Sequence, residues 1–276
     1  MSFQDMLRES AESAGNILCI GLDPVIERIP LQGEKEEVIV KFYSEILHGL
    51  KSEDVLPAMV KPNSAFYEQY GLYGLRALKR VMKMFQAEDI MVCLDAKRGD
   101  IGKTSAAYAK SVFEVFGADA VTLSPYLGRD SLEPFFREDK GSYVLVRTSN
   151  PGARDLQDLQ VDGKPLYLKV AEKLLAWGSP SLAGVVGATY PEEMKHILQV
   201  FTSQGKDLPL LVPGVGAQGG SVQDVLRAIK EAGSELSLHR VNSSSGINYA
   251  YEKEGTEDFV GAAVRKAKEL AEQLKI

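Results

Sequence analysis

The sequence has little cysteine, little histidine and no long apolar run. Its 276 residues include two cysteines and three histidines, and their scattered positions match no metal-ligand spacing. Cys19 and Cys93 each lie inside an apolar stretch, which predicts buried thiols in a reducing cytoplasm. No apolar segment approaches the ~20 residues that a membrane-spanning helix requires.

An excess of positive charge is also missing. Lys and Arg number 32 against 38 Asp and Glu, so the formal net charge is −6. This balance argues against a general nucleic-acid or membrane-surface binder, because both need a basic field. The N-terminal segment mixes both charge signs and has no apolar core, unlike a secretory signal peptide. We therefore expect a cytoplasmic protein.

The sequence does contain a regular alternation of short apolar runs and amphipathic segments. The apolar runs are nearly continuous, as expected for parallel strands covered on both faces. These predicted strands lie at 17–22, 56–60, 90–94, 119–123, 143–147, 183–187, 208–212 and 237–241. The predicted helices lie at 35–50, 66–86, 103–116, 129–138, 166–177, 191–204, 220–231 and 257–275.

Eight strand–helix pairs after a short N-terminal helix predict an α/β fold, a TIM-type (β/α)8 barrel. We expect one barrel domain over residues 1–276. An open doubly wound sheet is the competing architecture. The segment 148–165 is longer than a usual loop, so it is either a functional loop or a tolerated insertion.

Polar residues follow the predicted strands, at the end of a barrel where active sites are built. Asp95 and Lys97 are two positions apart, so they point to the same side of an extended chain. Lys61 and Asp23 come from neighbouring strand ends. A Lys–Asp–Lys arrangement suits a reaction in which negative charge moves and a proton is delivered, with Lys97 as general acid. The alternative is a surface salt-bridge patch, which is common and weak.

The segment from Gly214 to Gly219 fits the pattern GxGxxG. A Rossmann fingerprint belongs at the first strand–helix turn, whereas this segment follows the seventh predicted strand. Glycine amides at the start of a helix still form an anion cradle, and the last two loops of a barrel are its usual phosphate site. We therefore expect a phosphorylated substrate. The simpler alternative is that these glycines only permit a tight turn.

Seven ordered motifs extend over nearly the whole chain. They are GLDP (21–24), VKPNSAFYEQYG (60–71), LDAKRGDIGKT (94–104), TLSPYLGRDSLEPF (122–135), VRTSNPGA (146–153), VPGVGAQGG (212–220) and NSSSGI (242–247). This set resembles the orotidine 5′-phosphate decarboxylases, specifically their longer bacterial subgroup. The resemblance implies a TIM barrel, a homodimer and decarboxylation of orotidine 5′-monophosphate to uridine 5′-monophosphate in de novo pyrimidine synthesis. It also implies that no metal or organic cofactor takes part.

The resemblance further implies a catalytic network of four charged residues. Lys97 would protonate C6 of the pyrimidine as carbon dioxide departs, and Asp95 would lie beside the departing carboxylate. Lys61 would bind the ribose and anchor Asp95. Asp100 and Thr104 would be contributed across the dimer interface to the neighbour's ribose.

The resemblance also implies a set of substrate contacts. Asp23 would bind a ribose hydroxyl, and Ser149 would read the pyrimidine edge. Gln218 would bridge base and phosphate, with the backbone amides near Gly216 and Gly219 close by. The strand ends complete the predicted binding set with Pro213, Ser244 and Ser245.

Position 245 departs from the family pattern, which usually reads NSSRGI with an arginine that grips the phosphate. Losing one charge-assisted hydrogen bond of this kind costs roughly 1.5–3 kcal/mol. Three explanations stay open: weaker phosphate affinity, another cation that substitutes, or an engineered Arg→Ser change. Arg240 is close in sequence but lies within the eighth predicted strand.

Two other functions compete with this interpretation. A metal-dependent sugar-phosphate decarboxylase or aldolase-like enzyme would share DxKxxD but generally has an extra carboxylate near the second strand, where this chain has KPN (61–63). A catalytically silent barrel that binds a nucleotide or acts as a scaffold would explain Ser245. The intact Lys61, Asp95, Lys97 and Asp100 argue against it.

Overall fold

The computed structural model describes residues 1–215 and 219–276, and its central element is a closed barrel of parallel strands. The barrel strands are β1 Leu18–Gly21, β2 Met59–Lys61, β3 Met91–Arg98, β4 Ala120–Leu123, β5 Gly141–Arg147, β6 Leu182–Val186, β7 Leu210–Pro213 and β8 Arg240–Ser243. Each strand pairs with the next, and β8 returns to β1 with Val241 opposite Leu18. This closure confirms the (β/α)8 prediction over the open sheet.

Amphipathic helices surround the barrel and bury their apolar faces against it. They are α1 Phe3–Ala14, α2 Lys35–Ser52, α3 Ala65–Glu68, α4 Gly71–Gln86, α5 Gly102–Lys110, α6 Leu166–Trp177, α7 Pro191–Thr202, α8 Val222–Glu231, α9 Ser245–Asn248, α10 Ala250–Glu254 and α11 Phe259–Gln273. On α2, for example, Val38, Phe42 and Ile46 are all buried, at the three- to four-residue spacing of one helix face. Among the described residues, no helix is both long and apolar enough to cross a membrane.

The predicted helix at 129–138 is wrong. The chain there forms two short 3₁₀ turns, Arg129–Ser131 and Glu133–Phe135, and a third turn, Pro125–Leu127, comes just before them. Gly128 has a φ of +89°, which interrupts any helical path before the segment. Pro134 has no backbone N–H to donate within it.

The eighth strand and the long loop also differ from the pattern-based expectation. The strand predicted at 237–241 begins only at Arg240, because Leu236–Leu238 forms a 3₁₀ turn. The segment 148–165 is ordered into a 3₁₀ turn at Pro151–Asp155 and a two-stranded hairpin of two-residue strands.

Helix α1 closes the amino-terminal end of the barrel. Phe3 and Leu7 are fully buried and pack against interior side chains such as Met59 and Tyr143. A Cβ atom at Gly141 would lie 2.2 Å from the Phe3 ring, so β5 needs a glycine to admit that ring. The barrel interior is therefore filled at this end, and the opposite end is left for the site.

Arg240 also belongs to the closed end. Its guanidinium is buried and donates to the carbonyl oxygens of Ser237 (2.9 Å), His239 (2.7 Å) and Leu7 (2.6 Å). These bonds tie β8 to α1 and aim the side chain away from the carboxyl ends of the strands. Arg240 is therefore excluded as a replacement for the arginine that position 245 lacks.

A buried histidine links β7 and β8 near the same end. His239 Nδ1 accepts the Leu210 N–H at 3.1 Å, so the proton of the neutral ring lies on Nε2, which is 2.8 Å from Ser234 Oγ. Ser234 donates in turn to Asp207 at 2.5 Å. Burial lowers the pKa of His239 to about 4, and the Asp207 carboxylate only partly offsets this effect.

We predict that the free energy of unfolding falls as the pH drops from 7 to 4. The imidazole of the unfolded chain takes up a proton near pH 6.5, whereas the folded chain resists protonation until about pH 4. Between these values the unfolded state binds more protons, so acid destabilises the fold by roughly 3 kcal/mol at the low end.

Urea unfolding at several pH values checks this prediction. In His239→Asn the amide oxygen still accepts from Leu210, so the loss between pH 7 and 4 should shrink by about that amount. The exposed His196→Gln should behave as the parent. An identical pH dependence in the parent and His239→Asn would contradict the assignment.

Candidate active site

A cavity of about 650 Å³ opens at the carboxyl ends of the barrel strands. Eight of the predicted site residues line it: Asp23, Lys61, Asp95, Lys97, Ser149, Pro213, Ser244 and Ser245. A second cavity, of about 580 Å³, lies at the other end, beside Leu182 and Leu208. No predicted site residue that the structure describes lines that second cavity, so the first cavity is the candidate active site.

Asp95 is the centre of the charged cluster in this cavity. Its Oδ2 accepts from Lys61 Nζ at 2.8 Å, and its Oδ1 accepts from Lys97 Nζ at 2.7 Å. Thr122 Oγ1 on β4 donates to Oδ1 at 2.8 Å. Lys61 and Asp95 are buried, whereas the Lys97 side chain is 50% exposed. Lys97 is thus the member of the cluster most open to a ligand.

The two ammonium groups decide the charge of Asp95. Burial alone would raise the pKa of this carboxyl, but the positive charges of Lys61 and Lys97 outweigh that effect and hold its pKa well below the ordinary value. Burial would likewise lower the pKa of Lys61, yet the Asp95 and Asp23 carboxylates raise it above the ordinary value. At neutral pH Asp95 is therefore a carboxylate and Lys61 an ammonium.

Asp95 and Lys97 meet for a different reason from the one expected. The sequence suggested alternation along an extended strand, but Lys97 has a φ of +46° and the pairing of β3 with β4 shifts register before Arg98. The Lys97 N–H donates to Thr122 Oγ1 at 2.9 Å. One threonine hydroxyl thus fixes both the strained lysine backbone and the carboxylate.

Thr122 is a site residue that the sequence analysis missed. It is a single hydroxyl side chain in the otherwise apolar strand β4 and lies next to that strand's carboxyl end. Its signal in the sequence is a hydroxyl residue one position before the carboxyl end of an apolar run.

Asp23 occupies the seam where β8 meets β1. Its carboxylate accepts from Ser244 Oγ at 2.5 Å and from the Asn63 N–H at 3.2 Å. A Cβ atom at Gly21 would lie 2.5 Å from the Cβ of Ser244, so glycine permits this approach. The adjacent Asn242 Oδ1 is buried and finds no donor among the described residues. This side of the cavity therefore offers acceptors for hydroxyl or N–H groups.

Asp100 and Thr104 are not brought to the Asp95 cluster within one chain. Neither residue lines the cavity. The Asp100 carboxylate accepts from the N–H of Ile101 at 2.8 Å, and Thr104 is exposed in the first turn of α5. A single chain thus assembles three of the four predicted catalytic residues.

The loop after β7 is described only in part. Pro213 and Gly214 line the cavity, and Gly219 is exposed with a φ of +84°. The predicted contacts of Gly216 and Gln218 lie outside the described residues. Ser245 begins α9 and faces the cavity with a hydroxyl rather than a cation.

Arg28 is another residue of the active-site cavity that the sequence analysis missed. It follows β1 in a 3₁₀ turn, and its guanidinium carbon lies 3.8 Å from the centroid of the Tyr249 ring. Its Nε and Nη2 donate to the two carboxylate oxygens of Glu252 at 2.9 and 2.6 Å. Its loop shows no periodic pattern that would have singled it out.

Arg147 anchors the 148–165 segment beside the site. Its buried guanidinium pairs with Asp158 at 2.8 Å and lies 4.3 Å from the Tyr190 ring centroid. Gln157, which lines the cavity, accepts from the Thr148 N–H at 2.9 Å. The segment thus forms part of the cavity wall.

Over residues 1–215 and 219–276, no three His, Cys, Asp or Glu side chains are grouped so that they could hold a metal ion.

Comparison with known proteins agrees with the fold and the motifs. Residues 16–256 match the model of the orotidine 5′-phosphate decarboxylase / HUMPS family. An orotidine 5′-phosphate decarboxylase of Thermomicrobium roseum is 43% identical, with 100% of this chain and 96% of that protein covered. One from Herpetosiphon aurantiacus is 44% identical, with 96% and 95% covered.

A solved structure gives the same result. The orotidine monophosphate decarboxylase of Leishmania donovani superposes with a TM-score of 0.79 at 36% identity, covering 99% of this chain and 97% of the other. Matched along nearly its entire length in sequence and in fold, the chain belongs to the orotidine 5′-phosphate decarboxylase / HUMPS family.

Proposed function

We propose that this protein converts orotidine 5′-monophosphate to uridine 5′-monophosphate and carbon dioxide, a step of de novo pyrimidine synthesis. The observation that carries the proposal is the Lys61–Asp95–Lys97 cluster, which lies in a cavity large enough for a nucleotide. The curated relatives that match nearly the whole chain bear the name of this activity.

The reaction needs a proton donor beside a developing carbanion. When the bond between C6 and the carboxylate breaks, its electron pair remains on C6 and carbon dioxide leaves. We assign the proton to Lys97, because its ammonium is half exposed to the cavity and is held by Asp95 at 2.7 Å. An N–H bond of Lys97 breaks as the C6–H bond forms, and solvent later returns the proton to the amine.

The other members of the cluster would supply a fixed electrostatic field. Asp95 would lie beside the departing carboxylate, and the buried Lys61 would hold Asp95 in place while reaching the ribose. Charges that are already in position do not have to reorganise when the carbanion forms, which is where such sites gain most of their rate.

The remaining predicted residues are assigned to substrate binding. Asp23 suits a ribose hydroxyl because its carboxylate already accepts two hydrogen bonds at the cavity wall. Ser149 would read the pyrimidine edge. The phosphate would lie toward the loops after β7 and β8, which contain Pro213, Gly216, Gln218, Gly219, Ser244 and Ser245.

Asp100 and Thr104 are proposed to complete the site of a second copy in a homodimer. Both lie outside their own chain's cavity, which fits a contribution to a neighbour. Large apolar side chains are exposed nearby: Ile101, next to Asp100, is 62% exposed, and Tyr126, which follows the strand β4 that pairs with β3, is 83% exposed. A subunit interface there would cover them.

The first prediction from this proposal is turnover that depends on Lys97. Mixing the protein with orotidine 5′-monophosphate should change the pyrimidine absorbance, equally with and without EDTA. Lys97→Ala should lower kcat by at least ~100-fold, because it removes the proton donor. The exposed Lys103→Ala should keep the parental rate.

The assay also separates the alternatives. Lys97→Ala should still fold, but with a lower free energy of unfolding than the parent, because Asp95 keeps its bonds to Lys61 and Thr122 and loses the one to Lys97. Strong inhibition by EDTA would favour the metal-dependent alternative. Persistent turnover in Lys97→Ala would remove Lys97 as the acid.

A second prediction concerns Thr122. Thr122→Val keeps the shape but removes the donor to Asp95 and leaves the Lys97 N–H without its acceptor. We expect the free energy of unfolding to fall by about 1–3 kcal/mol and kcat to fall more than KM rises. Thr122→Ser retains the hydroxyl and should recover most of both. A Thr122→Val enzyme with parental kcat would contradict this role.

A third prediction tests the shared site. Lys97→Ala and Asp100→Asn should each inactivate the homodimer. Coexpressed in equal amounts, they form mixed dimers that contain one intact site, so total activity should recover to about a quarter of the parental value. The matched pair Lys97→Ala with Asp95→Asn should recover nothing, because both residues act in their own chain. No recovery in the first pair would contradict the exchange of Asp100.

A further inference from the structure

The cavity contains a third cation besides Lys61 and Lys97. Arg28 lines it together with Ser244 and Ser245. Lys61 and Lys97 both donate to Asp95, so their charge is engaged by that carboxylate. Among the cavity residues that the structure describes, Arg28 is the one Lys or Arg side chain not bonded to Asp95.

A nucleotide monophosphate brings a dianionic group that needs such a cation. At the end of β8, Ser245 offers only a hydroxyl, and Arg240 points to the closed end of the barrel. A guanidinium binds phosphate oxygens through two parallel N–H groups, which a hydroxyl cannot match. The requirement for positive charge at the phosphate therefore falls on another element.

The position of Arg28 is set by Tyr249. The guanidinium stacks on this ring at 3.8 Å, and Tyr249 directly follows α9, the helix that begins at Ser245. The ring itself is fixed, because its hydroxyl accepts from the Val25 N–H at 2.7 Å and is 3.1 Å from the carbonyl oxygen of Asp23. Arg28 is thus held beside the loop after β8 before any ligand arrives.

The ion pair between Arg28 and Glu252 is weak enough for an anion to displace it. Glu252 accepts from Nε and Nη2, and both side chains of this pair are more than a third exposed. Exposed ion pairs of this kind contribute little to stability, so a phosphate can compete for Nη2 at small expense. The Nη1 group donates to no described residue and faces no such competition.

We propose that Arg28 binds the phosphate of the substrate, in the role that position 245 leaves unfilled, and that the phosphate displaces Glu252 from the guanidinium. This assignment rests on the proposed function for the identity of the ligand. It makes Arg28 a specificity residue that separates nucleotides from nucleosides.

Binding of uridine 5′-monophosphate and of uridine, measured by calorimetry, tests the assignment. Arg28→Gln should weaken the nucleotide by ~10- to 100-fold, as expected for a lost charge-assisted hydrogen bond, and the nucleoside by less than about 2-fold. Arg28→Lys keeps the positive charge but lacks the two parallel N–H groups, so its nucleotide affinity should lie between those of the parent and Arg28→Gln. Arg129→Gln, an exposed arginine outside the cavity, should change neither. Equal weakening of both ligands by Arg28→Gln, or of neither, would overturn the proposal.

Two further variants distinguish a phosphate-binding role of Arg28 from a purely structural one. Glu252→Gln removes the carboxylate that competes for Arg28 and should tighten nucleotide binding. If Glu252 only held Arg28 in place, the same change would weaken nucleotide binding. Adding Ser245→Arg to Arg28→Gln should restore most of the lost nucleotide affinity, because it supplies a guanidinium at the neighbouring position. Weaker nucleotide binding in Glu252→Gln, or no recovery in the double variant, would overturn the proposal.

The binding experiment is independent of turnover. A parent protein that binds uridine 5′-monophosphate through Arg28 but does not decarboxylate orotidine 5′-monophosphate would overturn the proposed function and support the phosphate site. A parent protein that turns over the substrate, but whose nucleotide affinity is unchanged by Arg28→Gln, would support the proposed function and overturn the phosphate site.

Discussion

A carboxylate buried between two ammonium groups is the interaction on which the site depends. Asp95 is removed from water, and that burial is tolerable because Lys61 and Lys97 each donate to a different oxygen. Without the two ammonium groups, burial would disfavour the charged form of Asp95. The cluster is therefore assembled as a unit, and the closed barrel is what brings β2 and β3 close enough to form it.

The two ends of the barrel perform different tasks. At the amino-terminal end, Phe3 and Leu7 fill the interior and Arg240 binds carbonyl oxygens, so apolar packing and neutral acceptors stabilise the fold. At the carboxyl end, the strands finish in charged and hydroxyl groups around an open cavity. The molecule thus keeps its stabilising contacts apart from the residues that must meet a ligand.

Much of this arrangement could be predicted from sequence, and the failures have physical causes. Apolar runs marked the eight barrel strands, and polar strand ends marked Lys61 and Asp95. The helix expected at 129–138 failed because Gly128 and Pro134 outweigh an amphipathic pattern. Arg28 could not have been found, since its partner Glu252 is 224 residues away in the chain. Asp100 lies outside the cavity of its own chain, and the spacing of DxKxxD alone does not separate it from Asp95 and Lys97.

The left-handed backbone at Lys97 has a consequence for any attempt to improve the protein. A side chain other than glycine at a φ of +46° stores conformational strain of the order of 1 kcal/mol. Glycine at this position would relax that strain, but it would also remove the ammonium group that neutralises the buried Asp95. The strain at Lys97 therefore cannot be relieved by glycine without loss of the charged cluster, and a stabilised variant must draw its gains from elsewhere in the barrel.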